Sequence, residues 1–227
     1  MRRGIFVTGT DTGVGKTVAA CALVHALRSK GVAVHPFKPI AAGAVESDGQ
    51  LVNDDTRDLL AAAGLEPSSA GRVTPILLRE PMAPHIAAQR EGRVISLEVV
   101  GAAFEAIAGS YVVAEGVGGF KVPLGDAADT VDLARLFELP VVMVVGMRLG
   151  CLNHALLTAQ AIAASGLPFA GWIANAVDPD MAVREENVSA LGSRLGAPLL
   201  GRFPHRVPVD ARALAAHLDV QPLLDRE

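Results

Sequence analysis

The sequence predicts an α/β fold: a mostly parallel sheet with helices on both faces. Three observations carry that prediction. Apolar runs of strand length alternate with helix-forming segments along the chain, the signature of strand–helix–strand units. Hydrophobic residues make up 51% of the 227 residues while aromatics make up only 4%, so small aliphatic side chains must fill the core, as they do where helices pack on a parallel sheet. The third observation is local. Residues 4–17 read GIFVTGTDTGVGKT: an apolar run, a glycine-rich turn, then Lys16-Thr17 opening a helix-forming segment. Strand, loop, Lys-Thr and helix in that order form a phosphate-binding P-loop, which makes the predicted fold P-loop NTPase-like.

A single domain over residues 1–227 is expected, because no Pro/Ser-rich or charge-rich linker divides the chain. A net charge of −4 gives no reason to expect nucleic acid or a membrane surface as partner. The apolar runs are strand-sized and broken by glycine or polar residues, so no membrane span is expected. Cys21 and Cys151 lack metal-ligand spacing and fit a reducing cytoplasm better than a disulfide scaffold. Met1-Arg2-Arg3 is too short, and too soon followed by the loop, to read as a signal peptide.

The elements follow in order. Ile5–Val7 is a buried strand and Val18–Leu27 the helix after the P-loop, stopped by Gly31. Val32–Phe37 is the next strand, closed by Lys38-Pro39 and a small-residue loop, Ile40–Gly43. Residues 46–53 are polar and read as a loop. Asn53 or Asp54 caps a helix to Ala63. The proline-rich stretch Pro75–His85 is extended and irregular, ending near a short helix. Ser96 caps a helix to Ala108, with Glu98 in its first turn. Tyr111–Glu115 is a strand ending in a carboxylate before a glycine-rich turn. Asp129–Phe137 is a helix, Leu139–Gly146 the most hydrophobic strand, and Cys151–Ser165 a helix stopped by Gly166. Phe169–Asn175 is a strand, Asp180–Leu195 a helix, Ala197–Gly201 a last strand and Ala211–Leu218 a terminal helix.

The loop's chemistry follows from its residues. Glycines let the backbone pass close to phosphate with its N–H groups turned inward, and the new helix offers unpaired donors to the anion. Lys16 is placed to reach the outer phosphates, and the Thr17 hydroxyl to ligate Mg²⁺. The strict G-x-x-x-x-G-K-T pattern needs glycine at position 10. Thr10 stands there and the first glycine is Gly9, so the loop is one residue longer. In a parallel sheet, ligands sit beyond the carboxyl ends of the strands. Lys38, Glu115, residues 146–153 and Asn175 all fall just after apolar runs, which suggests one shared site.

Seven stretches complete the picture: FVTGTDTGVGKT (6–17), FKPIAAG (37–43), the Asn-x-Asp of 53–55, EPMAPHIAAQREGR (80–93), VAEGVGG (113–119), VVGMRLGCLNHALLTAQAI (144–162) and GWIAN (171–175). In this order they resemble the dethiobiotin synthetases, ATP-dependent enzymes of biotin synthesis. The likeness spans most of the chain to about residue 175, with only the APLLG strand and the Pro204 turn beyond residue 180. The resemblance implies that 7,8-diaminononanoate takes up CO₂ on one amine as a carbamate. ATP phosphorylates the carbamate, and the second amine then closes the cyclic urea with loss of phosphate. It also implies a homodimer.

The resemblance further implies roles. Lys16 holds the β/γ-phosphates, Thr12 donates a hydroxyl to the same region, and Lys38 stabilises the carbamate and the transferring phosphoryl group. Thr17, Asp55 and Glu115 are the implied Mg²⁺ ligands. Nucleotide contacts are implied along Gly13, Val14, Gly15, Lys16, Thr17 and Val18, and along Glu115, Gly116, Val117 and Gly118. Asn175 reads adenine, and Pro204, His205 and Arg206 complete its pocket. The substrate lies against Lys38 and Ala42, and its carboxylate against Gly150, Cys151, Leu152 and Asn153 across the dimer interface. Three positions depart from the family pattern: Ala42 replaces an expected serine, Gly13 a frequent glutamate and Ala176 an acid. His85 and His154 are read as structural.

Two rival readings stand beside this one. Amide-forming P-loop ligases carry a glutaminase domain that this chain is too short to hold, and Cys151 is not at a nucleophile elbow. Partition-type ATPase switches carry a second lysine early in the loop, where this chain has Asp11.

Overall fold

The structure is a computed structural model that describes residues 3–47 and 50–226. Met1 and Arg2, read above against a signal peptide, and residues 48–49 of the expected 46–53 loop lie outside the described residues.

In chain order the elements are β1 (Gly4–Gly9), α1 (Lys16–Ser29), β2 (Val34–Phe37), β3 (Ile40–Ala42), β4 (Val45–Ser47), β5 (Gln50–Val52), α2 (Asp54–Ala63), α3 (Ala70–Val73), β6 (Ile76–Leu78), α4 (Pro84–Arg90) and α5 (Leu97–Glu105). There follow β7 (Tyr111–Glu115), α6 (Thr130–Phe137), β8 (Val141–Gly146), α7 (Cys151–Ser165), β9 (Phe169–Asn175), α8 (Arg184–Gly192), β10 (Leu199–Phe203), α9 (Ala211–Leu214) and α10 (Gln221–Leu224). The main sheet has six strands in the order β10-β9-β8-β1-β7-β2, and every pairing in it is parallel. Pro36 sits in β2, at an edge of this sheet, where a strand tolerates a residue without an N–H.

Side-chain alternation splits the core into two layers. From β1, Phe6 enters one layer while Ile5 and Val7 enter the other; from β8, Met143 and Val145 oppose Val142 and Val144. The first layer is closed by α4 to α8, the second by α1, α2, α9 and α10. The expected fold class is therefore the observed one.

Several predicted boundaries move. The expected loop at Ile40–Gly43 is largely strand, because β3 pairs in parallel with β6 and buries Ile40 and Ile76. Part of the expected polar loop is also strand: β4 and β5 pair antiparallel. The helix expected from Asp180 begins at Arg184, since the Asp178 carboxylate takes the Asp180 N–H in a turn (3.0 Å). The last strand is shifted to Leu199–Phe203 by its register on β9, where Phe203 lies opposite Asn175. The helix after Ser96 stops at Glu105, and the terminal helix continues only as a short 3-10 turn, Ala215–His217.

Candidate active site

The sheet brings the predicted strand-end residues to one edge. Gly9, Phe37, Glu115, Gly146, Asn175 and Phe203 each close a parallel strand, so the segments after them rim a common crevice. β1 runs into the P-loop between β7 and β8, where the connections leave in opposite directions and ligands collect. Gly13 and Gly15 both hold positive φ, 74° and 85°. The positive φ favours glycine at 15, and a Cβ there would also displace the Asn175 Nδ2 amide from its place against the loop. No side chain caps α1, which leaves the first-turn N–H groups facing the loop.

A cavity of about 690 Å³ opens at this edge. Thr12, Gly13, Gly15, Lys16, Thr17 and Val18 line it from the P-loop side. Lys38, Ala42, Asp55, Glu115, Val117 and Gly118 line it from the other strand ends. A second cavity, also about 690 Å³, lies among Arg3, Tyr111 and Arg226 at the starts of the strands. It holds none of the strand-end residues, so volume does not distinguish the two; the buried ionisable groups do.

Those groups form one cluster. Lys38 Nζ lies 2.6 Å from Asp55 Oδ2 and 2.7 Å from Glu115 Oε1. The Thr17 hydroxyl donates to the same Glu115 oxygen at 2.7 Å. Glu115 is fully buried, and its Oε2 has no hydrogen-bond partner. Lys16 Nζ donates to the Asp11 carbonyl at 3.0 Å. Burial pushes the Lys16 ammonium below the usual lysine range, with Glu115 opposing it. Burial also acts to lower Lys38, but the Glu115 and Asp55 carboxylates outweigh it and hold Lys38 raised. For Asp55 burial raises and Lys38 lowers, and the net effect is downward.

The donor set suits a hard divalent cation. Thr17, Asp55 and Glu115 offer a hydroxyl and two carboxylates, and Glu115 keeps an unpartnered buried oxygen. Among the described residues no group of three His, Cys, Asp or Glu side chains could hold a metal. The protein would thus supply few ligands, as Mg²⁺ sites usually do, with water and phosphate completing the shell.

The remaining predicted residues lie around the cavity rather than in it. Val14 is buried under the loop, and Gly116 packs on Phe6. Asn175 Nδ2 donates to the Val14 carbonyl at 2.8 Å, which buttresses the P-loop from β9. Pro204, His205 and Arg206 follow β10, and His205 Nδ1 lies 3.1 Å from the Ala176 carbonyl. Gly150, at φ 93°, starts α7. Cys151 is buried and its N–H already donates to the Arg148 carbonyl at 3.0 Å. That leaves the Leu152 and Asn153 backbone as the amides to consider for an anion. None of Gly150 to Asn153 lines the cavity. Sequence reasoning missed Pro81 to Pro84 and Val122, which wall the cavity. Residues 81–84 belong to the stretch 80–93 that carries the family likeness, but read by themselves they give only an extended, irregular connection with no site role. The same reasoning placed residues 146–153 at the site but did not single out Arg148, which forms an ion pair with Asp11.

Comparison with known proteins decides the family. ATP-dependent dethiobiotin synthetase BioD of Aromatoleum aromaticum is 51% identical over 218 residues, covering 95% of this chain and 96% of the relative. The chain belongs to the dethiobiotin synthetase family. The BioD of a Janthinobacterium species is 49% identical over 94% of this chain and 93% of its own. A family model described as an AAA domain matches residues 3–213 of this synthetase-family chain. The fold also matches chloroplast FtsY from Physcomitrella patens (TM-score 0.50, 18% identity, 96% of this chain and 65% of that one). Cell division protein FtsY from Thermotoga maritima gives a TM-score of 0.55 at 16% identity, over 99% of this chain and 67% of that one. At such identity the FtsY likeness speaks for the fold alone; this synthetase-family chain spans only about two thirds of their length.

Proposed function

We propose that the chain is an ATP-dependent dethiobiotin synthetase, a cyclo-ligase of biotin synthesis. The observation that carries the reading is the joining of Lys38, Asp55, Glu115 and Thr17 into one cluster beside the P-loop. A P-loop alone binds nucleotide. The added buried lysine gives a second, fixed cation where an anionic acceptor would lie against the γ-phosphate.

The reaction uses these groups in turn. One amine of 7,8-diaminononanoate adds to CO₂ and loses a proton, giving a carbamate that Lys38 holds by charge. A carbamate oxygen takes the γ-phosphoryl group and ADP leaves. Lys16 and the loop N–H groups stabilise the charge that spreads over the phosphates, and Thr12 orients them. The second amine attacks the carbamoyl carbon, phosphate departs, and the cyclic urea closes. Holding both amines beside one carbon makes that closure intramolecular, the main rate advantage a rigid site can supply. Mg²⁺, held by Thr17, Asp55 and Glu115, would screen phosphate charge during transfer. Asn175, with the 204–206 turn, reads the adenine.

The same reading makes the chain one domain, a cytoplasmic enzyme and a homodimer. The absence from the cavity of Gly150 to Asn153 and the full exposure of the adjacent Leu149 favour a substrate carboxylate held by a partner copy. No helix among the described residues is long and apolar enough to cross a membrane.

Phosphate release from Mg·ATP, with and without 7,8-diaminononanoate and bicarbonate, tests the function. Release that requires both, with a cyclic urea detected by mass, is the expected result. Release indifferent to the diamine rejects the synthetase.

A further inference from the structure

We infer that Arg148 is a positioning residue for the nucleotide loop, acting through Asp11. Arg148 follows β8; its carbonyl accepts the Cys151 N–H at the start of α7, while its side chain turns to the loop, where Nη2 pairs with Asp11 Oδ2. Asp11 is the node of the loop's first half. Its Oδ1 accepts the Thr12 N–H at 2.7 Å, and its carbonyl accepts Lys16 Nζ at 3.0 Å. Fixing Asp11 therefore fixes the two groups expected to meet the outer phosphates. A longer, glycine-rich loop needs such an anchor, because glycines leave it the widest range of backbone states to lose on binding. The loop's second half already has one, the Asn175 amide on the Val14 carbonyl. Arg148 anchors the first half from the neighbouring strand end, and the two anchors are joined by the Met147 N–H on the Asn175 carbonyl at 2.7 Å.

The competing account is an ordinary surface ion pair. The two side chains are 40% and 44% exposed, and a pair so placed contributes little to stability. That separates the accounts: a surface pair predicts no effect on nucleotide binding, and a folding role predicts a lower melting temperature. Positioning predicts weaker nucleotide binding at unchanged melting temperature.

The inference rests on the nucleotide half of the proposed function and not on the diamine chemistry. It is tested by calorimetric titration of the full chain with Mg·ADP, alongside thermal melts. Arg148→Ala and Asp11→Asn should each weaken binding about tenfold, the scale of one lost charge-assisted contact. Asn at position 11 keeps an oxygen for the Thr12 N–H, so it isolates the Arg148 contact. Arg148→Lys should recover most of the affinity, and the double variant should be no worse than either single one. Affinity within twofold of the native chain in Arg148→Ala overturns the inference. So do losses that multiply in the double variant, or a fall in melting temperature that accounts for the weaker binding. A native chain that binds no Mg·ADP overturns the nucleotide reading itself, and the inference with it. Nucleotide binding without diamine-dependent turnover rejects only the synthetase.

Discussion

Glu115 depends on its neighbours more than any other residue of the site. It is fully buried, and one of its oxygens carries both the Lys38 ammonium and the Thr17 hydroxyl. Removing Lys38 leaves that carboxylate uncompensated, so Lys38→Ala should cost about 3–5 kcal/mol of stability in urea unfolding. It should also abolish diamine-dependent phosphate release. A variant that unfolds at the native midpoint would show that the pair is not the buried contact described. The strand-end residues were legible in the sequence because each polar group follows an apolar run, and a parallel sheet brings such ends together. The contacts among them were not legible. Nothing in the string says that Lys38 spans Asp55 and Glu115, or that Arg148 finds Asp11, because both depend on the strand order.

Helix α6 shows what one element owes to its first turn. The Asp129 carboxylate accepts the Val131 and Asp132 N–H groups, while Asp132 reaches back to the Asp129 N–H. Asp129→Ala should therefore cost about 1 kcal/mol, read as a lower unfolding midpoint. Although burial raises the Asp129 pKa, Lys121 and the two N–H groups outweigh it and hold the pKa below the usual carboxylate range. A lowered folded-state pKa gives stability that is present above the unfolded value and lost as pH falls through the folded one. The difference between native and Asp129→Ala should thus shrink below about pH 4. At its other end α6 carries Phe137, whose ring lies 4.4 Å from Phe104 and 5.6 Å from Phe37. Phe137→Ala should cost about 3–5 kcal/mol. Long apolar runs gave β7, β8 and β9 nearly at their observed bounds. The three-residue strands β3 to β6 escaped notice because so short a run has no readable period. The late start of α8 escaped because the Asp178 turn competes locally with the helix.

Across the whole molecule, the site is a property of the sheet, since no element contributes more than a few of its groups. Ligand binding should therefore be read by global unfolding. Mg·ATP at a hundredfold its dissociation constant should stabilise the native chain by about 2.7 kcal/mol, and Lys16→Ala by far less at the same concentration. Equal stabilisation of both would move the nucleotide away from the P-loop. The order of the strands has another effect. β1 lies between β7 and β8, so residues 4–9 find their partners only at 111–115 and 141–146. At roughly 5–20 residues per second, a ribosome needs about 7–30 s to reach that point. Until residue 115 is made, the apolar segment that will carry the nucleotide loop has no strand to pair with on either side, and until residue 146 it has one on only one side. The part of the chain made first therefore waits for more than half of the chain before its pairing is complete, and the nascent chain stays exposed to chaperones and to aggregation for that time.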